Sequence, residues 1–238
     1  MIIYPAIDIL GGKVVRLLKG DYGKAENYSL TCVEAALNFK AQGASHIHAV
    51  DLDGAKSGTA CNADKIADVI SASGAFVEVG GGIRSEEQII SYLNSGAGRV
   101  ILGTVAVRDF GFVMKTAEKY AGKIAVGVDA LNEKIAVSGW REVTDINSVD
   151  FCKKLRDAGI KDVIYTDISR DGTLLGTDLK VYEKLVKIEG LNVTASGGAA
   201  SLSEIKLLKE IGVDAVIIGK ALYEGAINLR DALRAAEE

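Results

Sequence analysis

The sequence is short of the residues that build metal centres, cross-links and linkers. Its 238 residues include two histidines, three cysteines, one proline and one tryptophan. His46 and His48 alternate on one apolar run with no third ligand in view, so the sequence offers no metal site. Cys32, Cys61 and Cys152 are scattered, odd in number and outside any CxxC spacing. They read as ordinary buried thiols of a reduced, cytoplasmic chain. Pro5 is the only proline, and no low-complexity stretch or charge run interrupts the chain, so a single domain over 1–238 is expected. A basic excess is missing too. The net charge of −4 and pI near 5.4 exclude a nucleic-acid or polybasic membrane surface, while leaving room for a local cationic pocket. The amino-terminal run MIIYPAIDILGGK is too short to span a membrane, and Pro5 and Asp8 spoil it as a signal peptide.

What is present is glycine in register. Val77–Thr104 runs from a short apolar stretch into Gly80, Gly81 and Gly82. A helical pattern follows, with Ile89, Ile90 and Leu93 on one face, and a second apolar run stops at Gly103 and Thr104. Val193–Lys220 repeats the scheme. Gly81, Gly82, Gly96 and Gly103 correspond to Gly197, Gly198, Gly212 and Gly219, each pair 116 positions apart (197 − 81, 219 − 103). Two such sets in fixed register point to a duplicated unit.

Short apolar runs alternate with longer amphipathic stretches throughout. The runs are Ile2–Ile9, His46–Leu52, Phe76–Val79, Arg99–Leu102, Lys123–Asp129, Asp162–Asp167, Asn192–Ala195 and Ala215–Ile218. Helical patterns begin near Thr31, Asn62, Ser85, Phe110, Asn147, Asp178, Ser201 and Ala226. Strands apolar on both faces, each followed by a helix, predict an α/β protein with an all-parallel sheet. Eight such units at this length close into a single (β/α)8 TIM barrel, with an open doubly wound sheet as the alternative. The repeat divides the barrel into half-barrels of about 1–121 and 122–238. Two extra short strands are expected at matching places, Lys13–Leu18 and Lys134–Val137.

Active sites of parallel barrels form where strands end. Asp8, Asp51, Asp129 and Asp167 end apolar runs. The first and fifth of eight strands lie on opposite sides. Asp8 and Asp129 therefore face each other across the mouth, placed to divide acid and base work on a substrate between them. The competing reading, in which each aspartate caps its own turn, suits one strand-end Asp better than an equivalent pair. One step along a strand turns inside to outside. The directions of Asp51 and Asp167 stay open, and Thr166 is the candidate to point inward. The glycine turns Gly81-Gly82 and Gly103-Thr104, and opposite them Gly197-Gly198 and Gly219-Lys220, let backbone N–H groups approach an anion at a helix start. Arg84 adds charge to the first cradle and Lys220 to the second. The expected ligand is a small bisphosphorylated molecule lying across the barrel, its centre between the two aspartates. Gly176 belongs to a glycine-broken loop able to close over a ligand, and Trp140 to a polar loop from which its ring can stack on a flat heterocycle or pack beneath the loop.

A resemblance covers essentially the whole chain in order. It is carried by PAIDI at Pro5–Ile9, VVRLLKGDY at Val14–Tyr22, VDLDGAKSG at Val50–Gly58, GGGIR at Gly80–Arg84, SGWRE at Ser138–Glu142, YTDISRDGTLLG at Tyr165–Gly176, ASGGAAS at Ala195–Ser201 and IIGKALYEG at Ile217–Gly225. These segments resemble the phosphoribosylformimino aminoimidazole carboxamide ribotide isomerases of histidine biosynthesis. The resemblance implies an Amadori rearrangement of a bisphosphorylated aminoaldose (ProFAR) to its ketose (PRFAR), with no metal or organic cofactor. It implies Asp8 as general base, Asp129 as general acid and Thr166 as a residue holding the substrate's centre. The acid protonates the ribose ring oxygen and opens the ring to a Schiff base; the base removes the C2 proton, and the enolamine tautomerises to the ketone. Two related enzymes share the motifs. The cyclase subunit of imidazole glycerol phosphate synthase usually has cysteine where this chain has Ile7 and lysine where it has Arg16, here counted with the binding residues. The bifunctional isomerase that also serves tryptophan synthesis typically has arginine where this chain has Ser138. A non-catalytic phosphosugar-binding barrel is a third reading, and it leaves the aspartate pair unexplained. The expected partner is the small-molecule substrate, and the expected state a monomer.

Overall fold

The computed structural model describes residues 1–237. Its strands are β1 (Ile2–Leu10), β2 (Lys13–Leu18), β3 (Asp21–Asn27), β4 (His46–Asp51), β5 (Phe76–Gly80), β6 (Arg99–Leu102), β7 (Ile124–Leu131), β8 (Lys134–Val137), β9 (Glu142–Asn147), β10 (Asp162–Asp167), β11 (Asn192–Ser196) and β12 (Ala215–Ile218). The helices are α1 (Cys32–Ala41), α2 (Leu52–Ser57), α3 (Ala63–Ser73), α4 (Glu86–Asn94), α5 (Thr104–Arg108), α6 (Phe110–Lys119), α7 (Ser148–Asp157), α8 (Leu179–Leu185), α9 (Leu202–Glu210), α10 (Lys220–Tyr223) and α11 (Leu229–Glu237). Strands β1, β4, β5, β6, β7, β10, β11 and β12 follow one another around a ring that closes by pairing β12 with β1. Every pairing in the ring is parallel. The closed barrel, not the open sheet, is the observed architecture. Antiparallel extensions, β2–β3 on β1 and β8–β9 on β7, rise from opposite sides of it.

The period of two along each strand sorts side chains between two cores. On β1, Ile3, Ile7 and Ile9 pack outward against the helices, while Tyr4 and Ala6 join Ile101, Ala125, Ile164, Ala215 and Ile217 inside. Each fully buried Ile or Leu of the outer core contributes about 1.5–3 kcal/mol. Pro5 lacks an N–H, and it stands where β1 passes from its pairing with β12 to its pairing with β4. Helix starts follow the sequence: Thr31 and Ser85 form capping boxes with Glu34 and Gln88, and Asn147 and Ser201 cap α7 and α9.

The eight barrel strands and both extra strands stand where the apolar runs place them. Several features depart from the sequence reading. Strands β3 and β9 were not expected, because both are largely exposed and carry few apolar residues. Residues 52–57 form a helix rather than a loop: Asp51 caps its start and Gly58, at φ +83°, ends it, although Gly54 in the middle reads as a turn. The last helix begins at Leu229 rather than near Ala226, because Gly225 at φ +71° interrupts the chain after α10. Of the three thiols, Cys32 and Cys152 are buried as expected, but Cys61 is exposed. Among the described residues no helix is long and apolar enough to cross a membrane.

The barrel mouth depends on backbone-to-backbone contact at its glycines. A Cβ on Gly82, at φ +75°, would lie 1.9 Å from the carbonyl oxygen of Gly54. Gly82→Ala is therefore expected to cost about 2–4 kcal/mol, seen as a drop in the thermal unfolding midpoint. Gly111→Ala, in the open first turn of α6 where the nearest atom is 3.6 Å away, should leave the midpoint unchanged or raise it.

Candidate active site

Register brings the strand-end residues into one layer at the mouth. Asp8 on β1 lies opposite Val50 on β4, which lies opposite Gly80 on β5. Asp129 on β7 lies opposite Thr166 on β10, which lies opposite Ser196 on β11. Three strands lie between β1 and β7 either way around the ring, so Asp8 and Asp129 stand on opposite walls. Both line one cavity of about 240 Å³. The same cavity is lined by Arg16, Gly81, Gly82, Arg84, Gly103, Thr104, Trp140, Thr166, Gly197, Gly198, Gly219 and Lys220. Gly176 alone among the expected site residues stays outside it. Its N–H donates to the Gly198 carbonyl at 3.1 Å, so it braces the second glycine turn from behind.

The two glycine turns are built alike. A Cβ on Gly81 would meet the Asp51 carbonyl at 2.2 Å, and one on Gly197 would meet the Asp167 carbonyl at 2.6 Å. Gly82 crowds Gly54, and Gly198 crowds Gly176. Gly103 and Gly219 share nearly the same backbone angles, φ −99° and ψ −103° against φ −108° and ψ −101°. Neither α5 nor α10 has a side chain capping its first turn. Their leading N–H groups are donors in want of an acceptor, as at any uncapped helix start. The cations differ between the sides. The Arg84 guanidinium covers Gly58 in the first half. In the second, Lys220 pairs with Glu26 at 3.0 Å and Arg16 lies over Gly219.

The two catalytic candidates have unlike surroundings. Asp8 forms an ion pair with Arg16 at 2.5 Å. That guanidinium also bonds the Ala6 carbonyl and lies 5.1 Å from the Tyr223 ring centre, and its Nε has no partner. Among the described residues no ion pair is seen for Asp129. Burial pushes its carboxyl above the ordinary aspartate range, against hydrogen bonds from Trp140 and Thr166 and the nearby His48, which pull it down. The Trp140 ring closes over Gly20, where a Cβ would lie 2.3 Å from it. Asp51 and Asp167 do not enter the site. Asp51 is fully buried and bonds Gly54 and Asn62, and Asp167 caps Ser169. Thr166 is the inward residue, as the one-step rule anticipates.

Among the lining residues that the sequence did not assign to the site are His48 and Asp171. His48 sits one layer below Val50 with its Nδ1 2.6 Å from a Glu78 carboxylate oxygen. Its signal was there, since it shares an inward parity with His46 and Val50. Asp171 follows Thr166 by five positions in a loop with no periodicity to orient it. Only the fold reveals it: Lys19 donates its backbone N–H to the Asp171 carbonyl at 3.1 Å, pinning the loop to the β2–β3 turn. Burial, and then the neighbouring Asp8 carboxylate, push the Asp171 carboxyl up to about 7. Among the described residues no group of three or more His, Cys, Asp or Glu is arranged to hold a metal ion.

A closed parallel barrel with two opposed carboxylates and two like-built glycine turns lining one cavity has the arrangement of a barrel enzyme's active site. The chain belongs to the family described as "Histidine biosynthesis protein", which matches residues 2–228. It is 45% identical over 234 residues to a protein of Clostridium botulinum (strain Kyoto / Type A2), covering 98% of this chain and 97% of that protein. It is 44% identical over 238 residues to one of Clostridium novyi (strain NT), covering all of both. A protein of Oceanobacillus iheyensis is 45% identical over 233 residues, covering 98% of this chain and 97% of its own length. All three carry the name 1-(5-phosphoribosyl)-5-((5-phosphoribosylamino)methylideneamino) imidazole-4-carboxamide isomerase.

The Asp171 carboxyl gives a signed test. Its folded pKa lies above its unfolded value, so between about pH 4 and 7 the folded state holds the extra proton. Stability then falls as pH rises through that window, and the loss is complete above it. Asp171→Asn should be more stable than the parent at pH 8, on the order of a few kcal/mol at most, and no more stable near pH 3.5. Urea midpoints measured at the two pH values check this.

Proposed function

We propose that this chain is an aldose–ketose isomerase that converts ProFAR to PRFAR by an Amadori rearrangement in histidine biosynthesis. The observation that carries the reading is the crossed arrangement: two equivalent glycine turns on one axis, two carboxylates on the other. A ligand with a phosphate at each end spans the first axis, and its reacting centre falls between Asp8 and Asp129. Gly81, Gly82, Gly103 and Thr104 with Arg84 hold one phosphate. Gly197, Gly198, Gly219 and Lys220 hold the other.

Asp129, its carboxyl raised by burial, acts as general acid on the ribose ring oxygen. Asp8, paired with Arg16, takes the C2 proton as general base. Thr166 and Trp140 hold Asp129 in place and border the substrate's middle. Two environments thus give one residue type two roles. The likeness of the Gly81–Gly82 and Gly197–Gly198 turns supports a duplicated half-barrel, about 1–121 and 122–238. On this reading the chain works as a monomer in the cytoplasm, on a small molecule and without a cofactor.

Purified protein should convert ProFAR to PRFAR. Asp8→Asn and Asp129→Asn should each lower kcat by about 10²–10⁴-fold and leave substrate binding nearly intact, because the glycine turns are untouched. Turnover persisting in Asp8→Asn discards the role given to it. Activity instead on PRFAR with ammonia, or on phosphoribosylanthranilate, would move the chain to the cyclase or bifunctional reading.

A further inference from the structure

One layer beneath the aspartates, the barrel lumen is charged where such lumens are ordinarily filled by branched apolar residues. Glu78 on β5 is fully buried there. Arg99 on β6 donates to its Oε2 from Nε at 3.1 Å and again from an Nη. The guanidinium continues to Asp162 on β10 at 3.0 Å and to the Tyr4 hydroxyl on β1 at 3.4 Å. Oε1 of Glu78 is left for His48 on β4, 2.6 Å from Nδ1. Apolar residues of the same volume would fill this layer with no desolvation penalty. Arg99 already has a carboxylate in Asp162, so a purely structural pair does not account for the second oxygen of Glu78 or for the histidine it meets.

We infer that Glu78 is a positioning residue that fixes the tautomer of His48, so that His48 presents the lone pair of Nε2 to the cavity. The argument is one of donors and acceptors. A carboxylate bonded to a guanidinium only accepts, so Nδ1 must carry the proton that lies between His48 and Glu78. In the neutral ring Nε2 is then the acceptor, and His48 lines the cavity that holds Asp8, Asp129 and Asp171. Its partner there is a hydroxyl of the substrate's reacting ribose, which donates to Nε2 and is thereby aligned between the two aspartates. This role rests on the isomerase reading; the tautomer does not.

Glu78→Gln tests it with almost no change of shape. Arg99 donates, so the amide oxygen turns toward Arg99 and the amide NH2 faces Nδ1. His48 must then accept at Nδ1 and move its proton to Nε2. The chain has two histidines, so His46→Gln assigns their ring signals unambiguously. The ¹⁵N–¹H correlation spectrum of the unliganded protein should show His48 as the Nδ1–H tautomer, and as Nε2–H in Glu78→Gln. An Nε2–H form in the parent protein overturns the inference, and does so even if Glu78→Gln fails to fold. In turnover, Glu78→Gln should lower kcat/KM about tenfold or more, as other wrong-tautomer variants do. In a His48→Ala background it should lower kcat/KM no further. Equal losses in both backgrounds show that Glu78 does not act through His48. Absence of isomerase activity in the parent protein would sink the reading of function while leaving the tautomer result to stand or fall by itself.

Discussion

Four residue pairs between β12 and β1, from Ile2 opposite Ala215 to Pro5 opposite Ile218, close the barrel. The site depends on that closure. Closing eight parallel strands fixes which walls face each other, and the period of two fixes which residues point inward. A slip of one residue in β1 would send Asp8 to the helix side and Ile7 or Ile9 into the mouth. The outer core resists such a slip, because Ile3, Ile7 and Ile9 are all buried against the helices. The same hydrophobic pattern that stabilises the fold therefore aims the carboxylate.

Electrostatics work against packing inside the ring. Asp8, Asp129 and Asp171 share one cavity, and among the described residues an ion pair is seen for Asp8 alone of the three, to Arg16. Holding carboxylates there destabilises the folded state, and the raised carboxyls of Asp129 and Asp171 express that strain. The outer core and the main-chain ladder offset it. The proposed chemistry draws on the same conflict, with the carboxylate beside a guanidinium as its base and the one without as its acid. The loops that complete the site pack closely on one another, Gly172 on the Leu17 backbone and Gly20 under the Trp140 ring.

Much of this was legible in the sequence for definite reasons. Buried parallel strands are short apolar runs, so all eight were visible, and the 116-position register exposed both glycine turns. Asp8 and Asp129 were legible because they stand at strand ends, where position alone implies direction. Thr166 followed from the one-residue step. Gly176 stands behind the cavity lining rather than in it, because a glycine in a loop signals a turn without saying which way the turn faces. Asp171 and Glu78 were missed for opposite reasons. The first owes its place to a loop pinned by Lys19. The second sits inside an apolar run, Phe76–Gly80, where a glutamate gives no sign that its partners lie on β4 and β6.

The central claim is that one ligand is held at two ends with its middle between opposed carboxylates. A crystal structure with a non-reactive bisphosphorylated substrate analogue tests it most directly. The account predicts one phosphate on the N–H groups of the Gly81–Gly82 and Gly103–Thr104 turns and the other on Gly197–Gly198 and Gly219–Lys220, with the reacting carbon within reach of Asp8 and the ring oxygen within reach of Asp129. A single occupied phosphate turn, or a ligand whose centre lies away from both aspartates, would contradict it.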